Sequence, residues 1–465
     1  MFLVGEWAAF HFLGSGELAM RLLPQLAAIL ALLLFKPVAE RTLKPLPAAL
    51  AIGILAVSFW PVSMSTLAKP YAFDLLGTVL FLYGVVRYLE DPSRSRWLWM
   101  LAGIAPLIIG MSYPSVFIAG AVSLGLLPAL WRNRHLSNCA AYIGFNLAWM
   151  GTFVFVVVFL VGRTTEATRL GMDLHWQESF PPSGVLPFLK WLVVMNTGQM
   201  FAYPIGDRNG GSVVTTLLFL VGIWEFVRRR RVGLVILSLV PFVLGILAAY
   251  LHRYPYGGVA CRIHQHVAPL IILAAAEGLA LLVGTVFRNP AWRKKCAITL
   301  FAVYAVIPVA GMARDAIKPY RESNDMWTRK LVQTLSDEFQ PDDLIVINLK
   351  TRKGLVFDWY TLPWRDRWVP LDRVSDEALT NCKGNIWLLT CAFLDDPAWI
   401  PTKDDPEAIR LDRRLTSAGE WQWRDQIPYL YQRTDQCRML DYCLVDRWTR
   451  AGKPPPRNLI VGPGR

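Results

Sequence analysis

Ten apolar stretches, separated by more polar junctions, occupy the first two thirds of the chain. Each is about as long as a helix needs to cross ~30 Å of hydrocarbon, and charged residues within them are few. Because a backbone in lipid must satisfy its hydrogen bonds within the segment, these stretches are predicted to be transmembrane helices. They cover residues 19–36, 45–61, 70–88, 97–113, 114–131, 139–162, 211–227, 232–251, 266–287 and 295–313.

Arginine and lysine cluster at every second junction between these stretches. The basic clusters are Lys36, Arg41 and Lys44; Arg87, Arg94 and Arg96; Arg132 and Arg134; Arg228, Arg229, Arg230 and Arg231; and Arg288, Arg293, Lys294 and Lys295. The positive-inside rule assigns these junctions to the cytoplasm. The chain after residue 313 is therefore predicted to lie outside the cytoplasm, with the protein in the plasma (inner) membrane.

The composition supports two domains. The formal net charge of +13 comes mostly from the basic junctions, and no basic stripe with interleaved aromatic residues is present, so nucleic acid is not a predicted partner. Residues 1–313 are predicted to form a membrane domain, and residues 314–465 an extracytoplasmic domain of ordinary soluble composition. The predicted fold class is an α-helical polytopic membrane protein of about ten transmembrane helices with a small C-terminal α/β domain.

Within the C-terminal domain, helical spacing over 326–335 and buried-strand patterns over 343–348 and 385–390 indicate the α/β class. Four cysteines lie here, namely Cys382, Cys391, Cys437 and Cys443. Outside the cytoplasm an even number permits disulfides, and 382–391 with 437–443 is the local pairing among three; buried thiols are the alternative. The proline-rich residues 451–465 are predicted to be disordered.

The amino terminus is predicted to lie on the outer interface. Residues 1–13 form an amphipathic segment with Trp7 at headgroup level. The first span must run inwards, because Lys36 follows it, yet no basic leader precedes it. We therefore expect a further span upstream of Met1; translocation of a short, uncharged leader is the alternative.

Two outer junctions carry the candidate chemistry. In the first, Lys69 and Asp74 flank Pro70, which suits the first turn of a helix, and Tyr71 shares a face with Asp74. An ammonium beside a helix N-terminus suits a phosphate or another anionic headgroup. The alternative is a lysine that extends towards the interface beside a capping aspartate.

The second such junction, residues 252–266, contains Arg253, Tyr254, Arg262 and His264 around a Gly pair. Guanidinium groups suit phosphate or pyrophosphate, and tyrosine rings suit sugars. A zinc site from its three histidines and Cys261 matches no strong ligand spacing, so a divalent metal is admitted but no cofactor is assigned. An interfacial belt of aromatic and arginine side chains is the simpler alternative.

Two further features need placement. The long connection 163–210 contains an apolar stretch, 185–196, that we interpret as an interfacial or re-entrant helix flanked by Asp173, His175, Glu178 and Asp207. Glu277 falls near the middle of the ninth span, where a carboxylate is costly and is expected to face the bundle. No partner for Glu277 is identifiable from the sequence.

Three motifs resemble bacterial multi-spanning glycosyltransferases of the GT-C superfamily, which includes the aminoarabinose transferase and protein mannosyltransferase relatives. Residues 12–24, Phe-Leu-Gly-Ser-Gly-Glu-Leu-Ala-Met-Arg-Leu-Leu-Pro, resemble its FG-x-[SN]-E-x-x-x-RL-x-P stretch. Residues 69–74 are similar to its K-x-Y-x-x-D segment, and residues 253–262 with Pro269 to its outer YP…R…P loop. The resemblance covers most of residues 1–313.

The resemblance implies transfer of a sugar from a polyprenyl-phosphate donor to a glycan, lipid or protein hydroxyl outside the cytoplasm. The implied donor-binding and substrate-binding residues are Lys69, Tyr71, Asp74, Arg253, Tyr254, Arg262 and His264. The family's catalytic Asp lies after its first helix, so it is expected upstream of Met1, and the chain as written is expected to be incomplete for catalysis. The alternatives are a secondary transporter or lipid flippase, and a non-catalytic membrane subunit.

Overall fold

A computed structural model of the chain contains two compact units, Met1–Ala313 and Arg314–Arg465. The structure describes residues 1–14, 17–160, 176–206, 212–257, 261–317, 335, 337–347, 367–393, 406–417, 421–432 and 440–450.

The first unit is helical, with a helix over each of the ten predicted spans. Its helices are α1 (Phe2–Leu13), α2 (Glu17–Thr42), α3 (Pro45–Val57), α4 (Phe59–Ser65), α5 (Tyr71–Glu90), α6 (Arg96–Met111), α7 (Ser115–Arg132), α8 (Leu136–Phe155), α9 (Val185–Thr197), α10 (Val213–Arg228), α11 (Val232–Tyr250), α12 (Ala268–Val286) and α13 (Pro290–Ile317). Among the described residues, seven helices are long and apolar enough to cross a membrane, and the bent pair α3–α4 makes an eighth. The protein is a multi-pass membrane protein.

The second predicted span, 45–61, is broken rather than continuous. Ser58 has an extended backbone, and α3 and α4 meet there at 48°. The Ser58 hydroxyl donates to the Ile54 carbonyl, 2.6 Å away, and the Phe59 amide donates to the carbonyl of Pro204 instead of continuing the helix. A serine hydroxyl that bonds to a carbonyl of the preceding turn bends a helix. The break is completed because the Phe59 amide bonds to a carbonyl outside the helix.

Helices α10 and α12 cross closely at a pair of glycines. A Cβ atom at Gly222 would overlap the carbonyl oxygen of Ala274, and one at Gly278 would overlap the carbonyl oxygen of Leu218. In a bilayer, where apolar surface gains little by leaving lipid, such close backbone approach is a main source of helix–helix attraction. The crossing fixes α12, which begins shortly after the 252–266 junction.

The basic junctions gather at one end of the bundle, here termed the basic end. Arg41 of α2 pairs with Glu90 at the end of α5, 3.1 Å apart. The Asn138 amide donates to the Pro92 carbonyl at 2.8 Å, and Arg231 donates to the carbonyl of Thr42. These contacts join junctions that are distant in sequence, so the basic clusters at every second junction lie together at one end of the bundle. The other end, which holds the start of α5 and of α12, is termed the His264 end.

The short helix α9 has an apolar face directed outward from the protein. Val185, Leu186 and Leu189 are exposed, whereas Trp191 is buried and donates from Nε1 to the carbonyl of Glu178 at 2.8 Å. Its 13 residues span only about 20 Å. The helix is thus too short to cross a bilayer. Asp173, His175 and Asp207, predicted to flank it, lie outside the described residues.

The second unit contains a mixed five-stranded sheet. Its strands β1 (Leu344–Ile347), β2 (Trp368–Pro370), β3 (Ile386–Phe393), β4 (Trp421–Gln432) and β5 (Leu440–Arg450) lie in the order β2-β1-β3-β5-β4. The β1 strand is parallel to both neighbours, whereas β5 is antiparallel to β3 and β4. Helices α14 (Asp376–Asn381) and α15 (Pro406–Ser417) complete the α/β unit. Strands β1 and β3 coincide with the two predicted strands. The predicted helix over 326–335, except for residue 335, and the predicted disordered tail 451–465 lie outside the described residues.

Asp343 organises the start of this sheet. Its carboxylate is fully buried and accepts from the Trp387 Nε1 at 2.9 Å and from the backbone amides of Gln340 and Asn385. Nearby, Cys382 is a buried thiol whose Sγ lies 3.6 Å from the Asn385 carbonyl oxygen. The local bridge from Cys382 to Cys391 is therefore not formed. The register instead sets Cys391 directly opposite Cys443 on β5.

Candidate substrate site at the His264 end

Asp74 is buried at the start of α5, with 2% of its surface exposed. Pro70 is the N-cap residue, so the carboxyl lies in the first turn, where unpaired backbone amides favour negative charge. One turn further, the Thr78 hydroxyl donates to the carbonyl of His266 at 2.7 Å, across 188 residues of sequence. The Asp74 Oδ1 atom has no hydrogen-bond partner among the described residues.

A polar turn between α6 and α7 covers this carboxyl. Ser112 hydrogen-bonds to Asp74, and its hydroxyl lies 2.6 Å from that of Ser115. Both serines are buried, at 1% and 0% exposure. The turn contains no charged residue, which is why sequence reasoning passed over it; a serine pair at a junction between two apolar spans was the available signal.

His264 is held by the backbone of the loop that precedes it. The amide of Gly257 donates to His264 Nε2 at 2.7 Å, so a neutral His264 carries its proton on Nδ1. Gly257 has a φ of 69°, and Met195 would meet any Cβ there, so glycine suits this close approach. His264 and His266 are both buried, with ring centroids 5.6 Å apart.

Tyr254 lies at the centre of an aromatic group. Its ring centroid is 5.5 Å from that of Phe117 and 6.2 Å from those of Tyr113 and His264. Its hydroxyl donates to the carbonyl of Ile263 at 2.8 Å. Burial, together with the nearby Asp74, Tyr71 and Tyr113, raises the pKa of Tyr254 well above its usual value. Tyr254 therefore stays neutral and acts as a hydrogen-bonding and stacking group.

Tyr256 ties the loop to α9. Its hydroxyl donates to Asn196 Oδ1 at 2.9 Å, and its ring is 5.8 Å from that of His264. Burial raises the pKa of Tyr256, against the smaller opposing effect of the Asn196 hydrogen bond. Helix α9 is thereby joined to the loop of the candidate site, a connection that the sequence did not indicate.

Of the predicted cations, Lys69 and Arg253 are exposed. Lys69 precedes Pro70, the N-cap of α5. Arg253 interacts electrostatically with Tyr113, which in turn contacts Tyr254. The side chain of Arg262 lies outside the described residues. The structure thus brings Tyr71, Asp74, Tyr254 and His264 together, with the two cations at the rim of this group.

Among the described residues, no group of three or more His, Cys, Asp and Glu side chains is arranged to hold a metal ion. His252 illustrates the reason, because it is exposed and stacks on Phe180, 4.6 Å between centroids. Among the described side chains His264 and His266 form only a pair, which lacks the third protein ligand that zinc sites use. The side chain of Cys261, the other candidate ligand, lies outside the described residues.

Glu277, for which the sequence offers no partner, is ion-paired. Arg229, the residue after α10, places Nη2 2.8 Å from Glu277 Oε1 and Nε 2.6 Å from Glu225 Oε1. Arg228 also bonds Glu225, with Nε 2.6 Å from Oε2. This network lies at the basic end, away from the candidate site. The sequence does not indicate this ion pair, because Arg229 and Glu277 are far apart in the chain. The positive-inside rule alone also accounts for a row of arginines after a span.

No protein-family model matches the chain, and no curated protein sequence matches it either. Among solved structures, the chain is similar to ArnT from Cupriavidus metallidurans bound to undecaprenyl phosphate, with 12% identity over 95% of this chain and 87% of ArnT and a TM-score of 0.48. It is also similar to the Archaeoglobus fulgidus oligosaccharyltransferase tethered with an acceptor peptide, with 12% identity, 83% and 60% coverage and a TM-score of 0.44. The complex of that enzyme with Zn and sulfate has 12% identity, 80% and 56% coverage and a TM-score of 0.39. This chain therefore spans less than two thirds of the oligosaccharyltransferase.

Proposed function

We propose that this chain is a membrane glycosyltransferase that binds a polyprenyl-phosphate sugar at the His264 end of the bundle. The sugar passes to a glycan, lipid or protein hydroxyl on the extracytoplasmic side of the plasma membrane, where the C-terminal domain also lies. The carrying observation is that the two motifs that resemble the GT-C enzymes, 69–74 and 253–262, meet where Tyr71 and Asp74 lie beside Tyr254. The Thr78–His266 hydrogen bond joins the segments that follow the two motifs.

The chemistry of the site suits the donor. Lys69 and Arg253 are cations at the rim, where the phosphate of a lipid-linked sugar would arrive, and charge develops on that phosphate as the sugar leaves. Asp74 Oδ1 is buried without a hydrogen-bond partner among the described residues. Buried polar atoms without partners are costly, and hydroxyl groups of a bound sugar would satisfy them. The general base is assigned to no residue of this sequence, so the proposal concerns donor binding first.

Binding of undecaprenyl phosphate to the purified full chain tests the proposal. Lys69→Gln and Arg253→Gln are each expected to weaken binding by about tenfold, as the loss of one charge-assisted phosphate contact would. Lys36→Gln, which removes an exposed lysine elsewhere on the bundle, is the matched control. Unchanged affinity in both rim variants would remove the site assignment, and equal loss in the control would show that the effect is only of net charge.

A transporter or flippase is the second candidate, and the Glu277–Arg229 pair favours it, because ionisable pairs within membrane helices often mark ion paths. In proteoliposomes, Glu277→Gln would abolish proton-coupled substrate flux if this function holds. A glycosyltransferase would show no such flux, whether residue 277 is glutamate or glutamine. Sugar transfer without flux would therefore decide for the first candidate.

A further inference from the structure

A cavity of about 950 Å³ opens at the basic end, remote from the candidate sugar site. We propose that it binds the phosphate headgroup of an anionic glycerophospholipid, whose acyl chains lie against its apolar wall. The cavity is formed by the start of α3, the end of α10, the second half of α12 and the start of α13.

The charges around the cavity select an anion. Five cationic side chains and two carboxylates line it, an excess of three positive charges; the cations are Lys44, Arg228, Arg229, Arg293 and Lys294. Both carboxylates, Glu225 and Glu277, are engaged by Arg228 and Arg229. Lys44 and Lys294 form no ion pair among the described residues, so their charges remain available to a ligand.

Two helices start at this cavity. Lys44 is the N-cap of α3 and Pro45 begins it, and α13 begins at Pro290; neither helix has an acidic residue in its first turn. The partial positive charge of a helix N-terminus is therefore not offset by the protein itself at either point, and phosphate oxygens are well suited to it. The cations and the helix ends act together on one space.

The remaining wall is apolar. Leu46, Leu50, Leu281, Ile298 and Phe301 line it, and they continue from the charged rim towards the middle of the bundle. A soluble anion would use the rim and leave this wall exposed to water, whereas a lipid covers both. Basic pockets between membrane helices on the cytoplasmic side, the side predicted for this end, are known to hold anionic lipid headgroups.

The buried carboxylates act as positioning residues for the arginines. Glu225 is fully buried and bonds both Arg228 and Arg229, while Glu277 holds the second arm of Arg229. An arginine fixed in this way needs less ordering when it meets a phosphate than one on a free side chain.

Native mass spectrometry of the full chain purified in detergent tests the proposal, with titration of phosphatidylglycerol, cardiolipin, phosphatidylcholine and undecaprenyl phosphate. The wild type is expected to bind the two anionic glycerophospholipids at least about tenfold more tightly than phosphatidylcholine. Equal affinity for phosphatidylcholine would overturn the proposal, and this comparison needs no variant to fold.

The paired variants locate the site. Lys44→Gln combined with Lys294→Gln is expected to lower the affinity for phosphatidylglycerol by about 25-fold, since each cation near a phosphate contributes about 1 kcal/mol, a factor of about five. Lys295→Gln is the matched control, because Lys295 neighbours Lys294 but lies over the Trp292 ring, 5.4 Å away, and does not line the cavity. An equal loss in Lys295→Gln, or a double variant that loses undecaprenyl phosphate while keeping phosphatidylglycerol, would overturn the assignment. Neither readout depends on sugar transfer, so this proposal can fail while the proposed function stands.

Discussion

Arg229 joins α10 to α12, with its Nη2 atom 2.8 Å from Oε1 of Glu277. The same guanidinium contacts Glu225, and the side chains of the two carboxylates are exposed by only 3% and 0%. Charges withdrawn from water are stable only with close partners of opposite sign. Arg229 therefore pairs with both carboxylates, sharing Glu225 with Arg228, and links two helices that also cross at glycine residues.

Replacing Arg229 should destabilise the membrane unit strongly. In Arg229→Met, Glu277 keeps its buried position and loses its ion pair, which costs about 3 kcal/mol for a buried pair broken on one side. The measurement is unfolding of the detergent-solubilised chain by heat or denaturant. Arg230→Met is the control, because Arg230 is exposed and forms no ion pair among the described residues. A loss of the same size in Arg230→Met would contradict the assigned role of Arg229.

The glycine crossing gives a second prediction. Gly222→Ala and Gly278→Ala each place a methyl group against a backbone carbonyl oxygen of the other helix, so the helices must separate. We expect a loss of about 2 kcal/mol or more in the free energy of unfolding, as for other overpacked sites. Gly103→Ala, where no atom lies within 4 Å of the added methyl group, should be neutral or slightly stabilising. If all three variants behave alike, the close crossing is wrong.

The membrane helices could be predicted from the sequence because length and apolar content alone decide whether a segment spans lipid. The basic end could be predicted too, since the charges that orient the chain recur at every second junction. The break at Ser58 could not, because it depends on the Pro204 carbonyl, which the chain reaches only in three dimensions. A continuous apolar stretch carries no sign of such a partner.

The candidate site could be predicted in part for the same reason. Asp74 and His264 stand out as polar residues beside apolar spans, so the sequence indicates them individually. Ser112, Ser115 and Asn196 are ordinary small polar residues, and only the packing shows that they contact Asp74 or Tyr256. Glu277 stands out in the sequence as a single costly carboxylate. Its partner Arg229 is one of four consecutive arginines, and the sequence does not show which of them reaches a carboxylate.

Glu6 on α1 should give the chain a pH-dependent stability. Partial burial raises the pKa of Glu6 to about 7, and its Oε1 has no hydrogen-bond partner among the described residues. The folded chain therefore holds this proton more tightly than the unfolded chain, whose pKa is near 4.5. The stabilising contribution is present below the unfolded pKa and is lost as the pH rises through about 7.

We expect the midpoint temperature of thermal unfolding to decrease as the pH is raised from about 5 to about 8. The decrease should be smaller in Glu6→Gln, because glutamine cannot ionise. Glu40→Gln removes an exposed acid on α2 and should leave the wild-type slope unchanged. A Glu6→Gln profile parallel to that of the wild type would show that this carboxyl does not titrate in the range.

Thr78→Val tests the connection between α5 and the loop before α12. The substitution keeps the shape of the side chain and removes the hydroxyl that donates to the His266 carbonyl, which leaves a buried acceptor unsatisfied. We expect a loss of about 1–3 kcal/mol in stability and weaker binding of undecaprenyl phosphate. Thr78→Ser should preserve both properties. A Thr78→Val chain that binds undecaprenyl phosphate as the wild type does would separate this hydrogen bond from the site.

Cysteines introduced at the two ends of the bundle should react differently with a membrane-impermeant maleimide. Lys69→Cys introduces an exposed thiol at the His264 end, and Arg134→Cys introduces one beside the α7–α8 junction at the basic end. Since basic junctions stay in the cytoplasm, intact cells should label Lys69→Cys above the background of the parent chain, and Arg134→Cys only after permeabilisation. The parent chain is the necessary reference, because it already contains seven cysteines. Labelling of Arg134→Cys in intact cells, with protection of Lys69→Cys, would place the candidate site in the cytoplasm, where its proposed encounter with an extracytoplasmic acceptor could not occur.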